Sequence, residues 1–349
     1  MFLEKEGKLI YSYDGETVCI EAWGKDALRV RATKNRSFTG RDWALEAKDA
    51  HAGEVEIFED PSAKGGAFAN MYEGTDTSYG KITNGKLHAV IDSGSVITFY
   101  HEDGRVLLKE HFRRLRDEES MPLNIMGREY SNGVGDNFRI VARFVARKGE
   151  KIFGMGQYQQ HELDLKGCML ELAQRNSQVS VPFYLSSIGY GFLWNNPGVG
   201  QVMFANNGTE WVTESGKEID YLVIAGDTPA EIEENYMTLT GKPPMMPEYG
   251  MGFWQCKLRY WNQEQLLSVA RKYKELGVPL DVIVVDFFHW TKQGEFKFDP
   301  KYWPDVPGMC RELKEMGIQV VVSVWPTVDI YSENFEEMKE KGYLVRTEH

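Results

Sequence analysis

Several things are scarce in this sequence, and each scarcity removes a class of function. No apolar run approaches the roughly 18 residues that a membrane span needs. The opening Met1-Phe-Leu-Glu-Lys-Glu-Gly7 lacks a basic start followed by an apolar core, so no secretion signal is read and a cytoplasmic location is expected. Cysteine occurs only at Cys19, Cys168, Cys256 and Cys310, with no CxxC pair and no histidine at metal-ligand spacing. Reduced, mostly buried thiols are the expectation. Positive charge is also short: 40 Lys and Arg stand against 52 Asp and Glu, a formal net charge of −12. Nucleic-acid binding draws its affinity from clustered cations, so neither nucleic acid nor a membrane is expected as partner. Gly154-Met-Gly156 and Gly133-Val-Gly135 do not complete a dinucleotide fingerprint, and no phosphate loop or zinc-type helix motif occurs. No cofactor is implied.

What is present divides into two patterns. Residues 1–225 carry short strand-like runs such as Lys86–Ile91, Ser95–Tyr100 and Val106–Lys109, with hairpin-type signals at Asn84-Gly85 and Asp103-Gly104. This spacing predicts an antiparallel β-sandwich. The more polar stretches 35–80 and 114–136 are expected as long loops, and the triplets at Asn35 and Asn207 as turns. Residues 226–247 read as a helix followed by a proline-rich linker. Thr228-Pro-Ala-Glu231 opens that helix with a capping hydroxyl, a first-turn proline and a glutamate able to reach back to the cap.

Residues 248–349 read strand, helix, strand, helix, strand, helix. The strands are expected at 250–256, 280–288 and 318–325, and the helices at 262–276, 306–316 and 332–341, with Gly277, Gly317 and Gly342 as stops. Strand-helix-strand crossovers in tandem begin a parallel barrel or an open parallel sheet. A (β/α)8 barrel takes about 250 residues, so these 102 residues, 248–349, read as its first part only, a truncated barrel. Asp281-Val-Ile-Val-Val-Asp286 places a carboxylate at the end of a strand buried on both faces, where an acid is expensive unless it binds something. A cap or an ion pair for the next loop is the alternative. Trp325 ends the following strand at the same mouth, and loop packing would explain it equally. His289 reads as a hydrogen-bonded packing residue. Lys257, Arg259 and Lys292 suit either an anion or a solvated rim. The 13% aromatic content suits sugar stacking, but large cores use aromatics as well.

In order along the chain stand Phe153-Gly-Met-Gly-Gln157, Leu165-Lys-Gly167, Val181-Pro-Phe-Tyr184, Gly189-Tyr-Gly191, Trp254-Gln-Cys-Lys-Leu-Arg-Tyr260, Pro279–Asp286, Phe298-Asp-Pro300 and Trp303-Pro-Asp305. Together they resemble glycoside hydrolase family 31, the α-glucosidases and α-xylosidases. Val284–Trp290 and Val322–Pro326 resemble the α-xylosidase branch most. The resemblance implies a galactose-mutarotase-like β-sandwich followed by a TIM barrel, and a retaining mechanism at a terminal α-linked sugar. Its nucleophile and acid/base belong to later barrel strands, so no catalytic residue is expected in this chain. It also implies that Asp286 bonds sugar hydroxyls and that Phe287 lines the same subsite. Ser323 falls where other members place an apolar or aromatic side chain, with Trp325 able to compensate. Asn176 falls where some members send an acidic residue from the sandwich.

The leading expectation is therefore the N-terminal part of an α-xylosidase acting on an α-linked oligosaccharide or xyloside. An α-glucosidase of the same family and a non-catalytic carbohydrate-binding module are the alternatives, and homo-oligomerisation of a full-length protein stays open.

Overall fold

The structure, a computed structural model, describes residues 1–60, 77–111, 113–115 and 123–345. It divides into two compact units, Met1–Pro243 and Pro244–His349.

In the first unit the largest sheet is antiparallel throughout. Its order is Phe2–Lys5, Lys8–Tyr13, Glu16–Trp23, Ala27–Thr33, Ile219–Ala225, Tyr190–Trp194, Val179–Ser186 and Ile152–Gln157, with the short Ala50–His51 beside Glu16–Trp23. Two five-stranded antiparallel sheets share its core. One runs Val106–Lys109, Ile97–His101, Leu87–Asp92, Tyr79–Asn84, Glu54–Phe58; the other runs Arg128–Asn132, Phe138–Phe144, Gly208–Gly216, Gly200–Ala205, Met169–Leu172. The sandwich read from the sequence is therefore present.

Ile219–Ala225 shows how both faces of a strand become apolar. Ile219, Tyr221, Val223 and Ala225 enter the main core, while Leu222 and Ile224 enter a second cluster with Phe183, Leu193, Ile232 and Leu239. Side chains alternate along a strand, so covering both faces demands a continuous apolar run. The cover on the second face is the helix Pro229–Thr240, whose Tyr236 lies flat on Phe183 with ring centroids 3.8 Å apart. Thr228 Oγ1 caps this helix by accepting from the Glu231 N–H at 3.2 Å. Glu231 does not reach back to the cap itself. Its carboxylate accepts from the Asp227 N–H at 3.0 Å and pairs with Lys86 at 2.6 Å.

Three expectations need correction. The stretches 35–80 and 114–136 are not simply loops, since Ala50–His51, Glu54–Phe58, Leu123–Ile125 and Arg128–Asn132 are strands. Glu54–Phe58 is an edge strand with mostly exposed side chains, so its charges, which suit a sheet edge, hide its period. Residues 61–76 and 116–122 lie outside the described residues. Of the four free thiols only Cys19 is buried; Cys256 is exposed because it follows a two-residue strand into a loop. The strands of the second unit are shorter than expected, at Trp254–Gln255, Val282–Val285 and Gln319–Val322.

Those three strands are parallel and lie in chain order. Between and after them run the helices Gln263–Glu275, Val306–Glu315 and Phe335–Glu340. Leu266, Leu267 and Ala270 of the first helix and Met309 and Leu313 of the second pack with Ile283 and Val285 in one core. Asn262 and Asp305 cap the first two, accepting from the Gln265 and Gly308 N–H groups at 2.9 Å each. Gly277, Gly317 and Gly342 follow the three helices in left-handed backbone, as the sequence predicts. This is the opening of a TIM barrel, with the C-terminal ends of its strands at one mouth.

Candidate functional site

In the second unit, Val285 lies opposite Val322, and the Ser323 N–H donates to Val285 O at 2.9 Å. Asp286 and Ser323 therefore leave the sheet side by side, at the C-terminal ends of neighbouring strands. Asp286 is half-buried. Its Oδ1 accepts from the Phe287 N–H at 2.8 Å, and its Oδ2 accepts from the Cys256 thiol at 3.7 Å. A carboxylate offers about four acceptor positions, so about two remain for a ligand's hydroxyls.

The turn after Asp286 is fixed from below. The Asp286 carbonyl faces His289 Nδ1 at 3.2 Å. A carbonyl only accepts, so the ring proton sits on Nδ1. His289 is buried between Trp290 and Phe298, and burial pushes its pKa down against the opposing effect of the Asp286 carbonyl. It is a neutral packing residue, as the sequence suggested. Between them Phe288 adopts a left-handed φ of 62°, a region that bulky side chains rarely occupy.

Phe287 stacks on Trp325, with ring centroids 5.2 Å apart and planes 7° from parallel. Trp325 remains 42% exposed, so the pair forms a wall rather than a sealed core. Beside it lies an open hollow of about 510 Å³, lined by Lys257, Leu258, Arg259, Trp261, Phe287 and Phe288. The Arg259 guanidinium lies 3.5 Å from the centre of the Trp261 ring. Lys292, by contrast, is occupied: its Nζ donates to the Tyr331 carbonyl at 2.8 Å.

The second unit thus brings together Asp286, Phe287, Ser323 and Trp325. Asn176 belongs to the first unit, exposed in the turn between Met169–Leu172 and Val179–Ser186 that is closed by the Arg175 and Gln178 pairing. The residue that sequence reasoning missed is Cys256. The logic that found Asp286 applies to it as well, since it immediately follows a barrel strand. Among the described residues no three His, Cys, Asp or Glu side chains converge as a metal site, and no helix is long and apolar enough to cross a membrane.

Comparison with known proteins matches both units to one family. Residues 17–202 match the glycosyl hydrolase 31 N-terminal galactose mutarotase-like domain, and residues 243–349 match the glycosyl hydrolases family 31 TIM-barrel domain. An uncharacterized family 31 glucosidase of Pseudescherichia vulneris is 42% identical over 99% of this chain and 64% of its own length. α-Xylosidase A of Aspergillus niger is 29% identical over 95% of this chain and 45% of its own. The crystal structure of an α-xylosidase from a soil metagenome, complexed with xylose, superposes with a TM-score of 0.88 at 45% identity, over all of this chain and 50% of that one. The chain spans roughly half to two thirds of the length of these relatives. With both of its units matched, the chain belongs to glycosyl hydrolase family 31.

Proposed function

We propose that this chain is the sugar-recognising N-terminal part of a retaining α-glycoside hydrolase that releases terminal α-linked xylose. In this reading Asp286 holds sugar hydroxyls through the acceptor positions left free by Phe287 and Cys256. The Phe287 and Trp325 stack walls the same subsite. An α-xyloside lacks the exocyclic hydroxymethyl group of an α-glucoside, so a flat aromatic wall beside the carboxylate favours the smaller sugar. Retention needs two carboxyl groups about 5 to 5.5 Å apart, one attacking the anomeric carbon and one protonating the leaving oxygen. Both are assigned to barrel strands beyond the three described, so the chain alone is expected to bind sugar without hydrolysing it. Ser323 borders the subsite beside Asp286.

The observation that carries this reading is the parallel stack of Phe287 on Trp325 next to a half-buried carboxylate with free acceptor positions. Similarity to an α-xylosidase seen with xylose supports the choice of sugar. The glucosidase relative from Pseudescherichia favours the second reading, an α-glucosidase. Hydrolysis of p-nitrophenyl α-xyloside and α-glucoside by the full-length protein decides between them. A higher kcat/KM for the glucoside would overturn the xylosidase assignment.

A further inference from the structure

In the first unit, the segment Arg41 to Leu45 is held from beneath by two buried side chains. Arg29, with no exposed surface, donates from Nη2 to the Arg41 carbonyl at 2.9 Å and from Nη1 to Asp42 Oδ1 at 2.7 Å. Asn195, 2% exposed, donates to the Asp42 carbonyl at 3.1 Å and accepts from the Ala44 N–H at 3.2 Å. Asp220 locks both, taking two hydrogen bonds from Arg29 and one from Asn195. The segment they fix presents Trp43 outward, 45% exposed and in left-handed backbone with φ of 53°. Strained backbone under an exposed indole is an unusual use of a buried network, because a plain surface turn would accept almost any polar residue at that position.

Trp43 borders a hollow of about 380 Å³ together with Arg41, Asn137, Asn196 and Ser215, within the range of small-molecule sites. The Arg41 guanidinium lies 5.4 Å from the indole centre. It has no carboxylate partner among the described residues, and the Asn137 amide has no side-chain partner there either. The acids of the lining are already engaged: Glu218 accepts from the Thr39 N–H and hydroxyl, both at 2.8 Å, and Asp220 from Arg29. Lys217, also in the lining, pairs with Asp136 at 2.6 Å, so what remains is an apolar ring face beside neutral amide and hydroxyl groups and the Arg41 guanidinium. That combination matches a neutral pyranose, whose C–H face packs on an aromatic ring while its hydroxyls take hydrogen bonds. A second hollow, about 520 Å³, shares Trp43 and extends to Ala173 and Gln174, in the turn that carries Asn176.

We infer that the Trp43 hollow is a second carbohydrate-binding site, on the sandwich itself, that grips a neutral sugar unit of an oligosaccharide. The site stands whether or not the Asp286 subsite prefers xylose.

The test is calorimetric titration of the full-length protein carrying Asp286→Ala, with a neutral xylose-substituted glucan heptasaccharide as probe. One equivalent should still bind, and adding Trp43→Ala should weaken it at least tenfold. Asn137→Ala, read in the same way, replaces Trp43→Ala should the latter lose the native circular dichroism. With Trp43→Ala alone, kcat/KM on a small aryl α-xyloside should stay at the wild-type value while KM for the heptasaccharide rises. No binding in the Asp286→Ala protein, or undiminished binding after either second substitution, would overturn the inference. So would tighter binding of an oligogalacturonate than of the neutral probe. A failure of the α-xylosidase reading would show instead in the aryl-glycoside rates and leave the titration untouched.

Discussion

Phe287 and Trp325 lie face to face across the ends of neighbouring parallel strands, their ring planes 7° apart. Neither ring is sealed in a core, so the pair is available as a wall beside Asp286. Replacing the wall should enlarge the space for a hydroxymethyl group. In the full-length enzyme, Phe287→Ile is expected to raise the ratio of α-glucoside to α-xyloside kcat/KM by roughly tenfold, the scale of a single hydrophobic pocket contact. An unchanged ratio would remove Phe287 from sugar selection.

Asp286 receives one backbone and one thiol hydrogen bond and is only half-buried, so it bears little of the fold. Asp286→Ala should therefore abolish xylose binding at that subsite while leaving the thermal midpoint within a few degrees of wild type. Calorimetry with free xylose measures the first and a melting curve the second. An unchanged number of xylose equivalents bound, in a protein that also carries Trp43→Ala, would remove Asp286 from the site.

Arg29 and Asp220 form a buried ion pair joined by two hydrogen bonds of 3.0 and 2.7 Å. Arg29→Ala strands the Asp220 carboxylate and releases Asp42 and Arg41. The cost is expected to be about 3–5 kcal/mol, the range for breaking one side of a buried pair. A denaturant titration that follows the first unit measures it. A loss below about 1 kcal/mol would mean that water enters the site freely.

His289 is buried and its pKa is held below the ordinary 6.5, chiefly by desolvation. The unfolded chain takes up a proton below about pH 6.5 that the folded state resists. The stability that the neutral ring contributes is thus fully present above pH 6.5 and is lost as the pH falls through the depressed value. Between pH 7.5 and 5.5 the urea midpoint should fall more for wild type than for His289→Gln. Equal slopes would show that His289 titrates normally.

Much of this could be read from the chain alone, and the reason differs by residue. Asp286 was legible because a carboxylate after Val282–Val285 breaks an apolar run at a position fixed by strand length. The helix start at Thr228 was legible because capping is local chemistry. The stack of Phe287 on Trp325 was not, because it joins residues on different strands and depends on the register of Val285 with Val322. The Glu54–Phe58 strand escaped because an exposed edge tolerates charges that mimic a loop. Cys256 escaped because the strand expected at 250–256 ends at Gln255, which puts the thiol past the strand end instead of inside it. Trp43 was hidden for another reason: the side chains that hold it, Arg29 and Asn195, are distant in sequence and carry no pattern that links them.

The place of Ile219–Ala225 in the large sheet also bears on how the protein is made. Its neighbour on one side, Ala27–Thr33, leaves the ribosome well before it, and the two carry Arg29 and Asp220, 191 residues apart. At about 5 to 20 residues per second, Arg29 waits roughly ten to forty seconds for its partner. Throughout that interval Glu16–Trp23 and Ala27–Thr33 have each other, Lys8–Tyr13 and the short Ala50–His51 to pair with, while the edge of Ala27–Thr33 that Ile219–Ala225 will cover stays open on the nascent chain. The large sheet is therefore completed late, when its seam strand emerges, and the hairpins made before it are the segments that a chaperone would have most reason to shield.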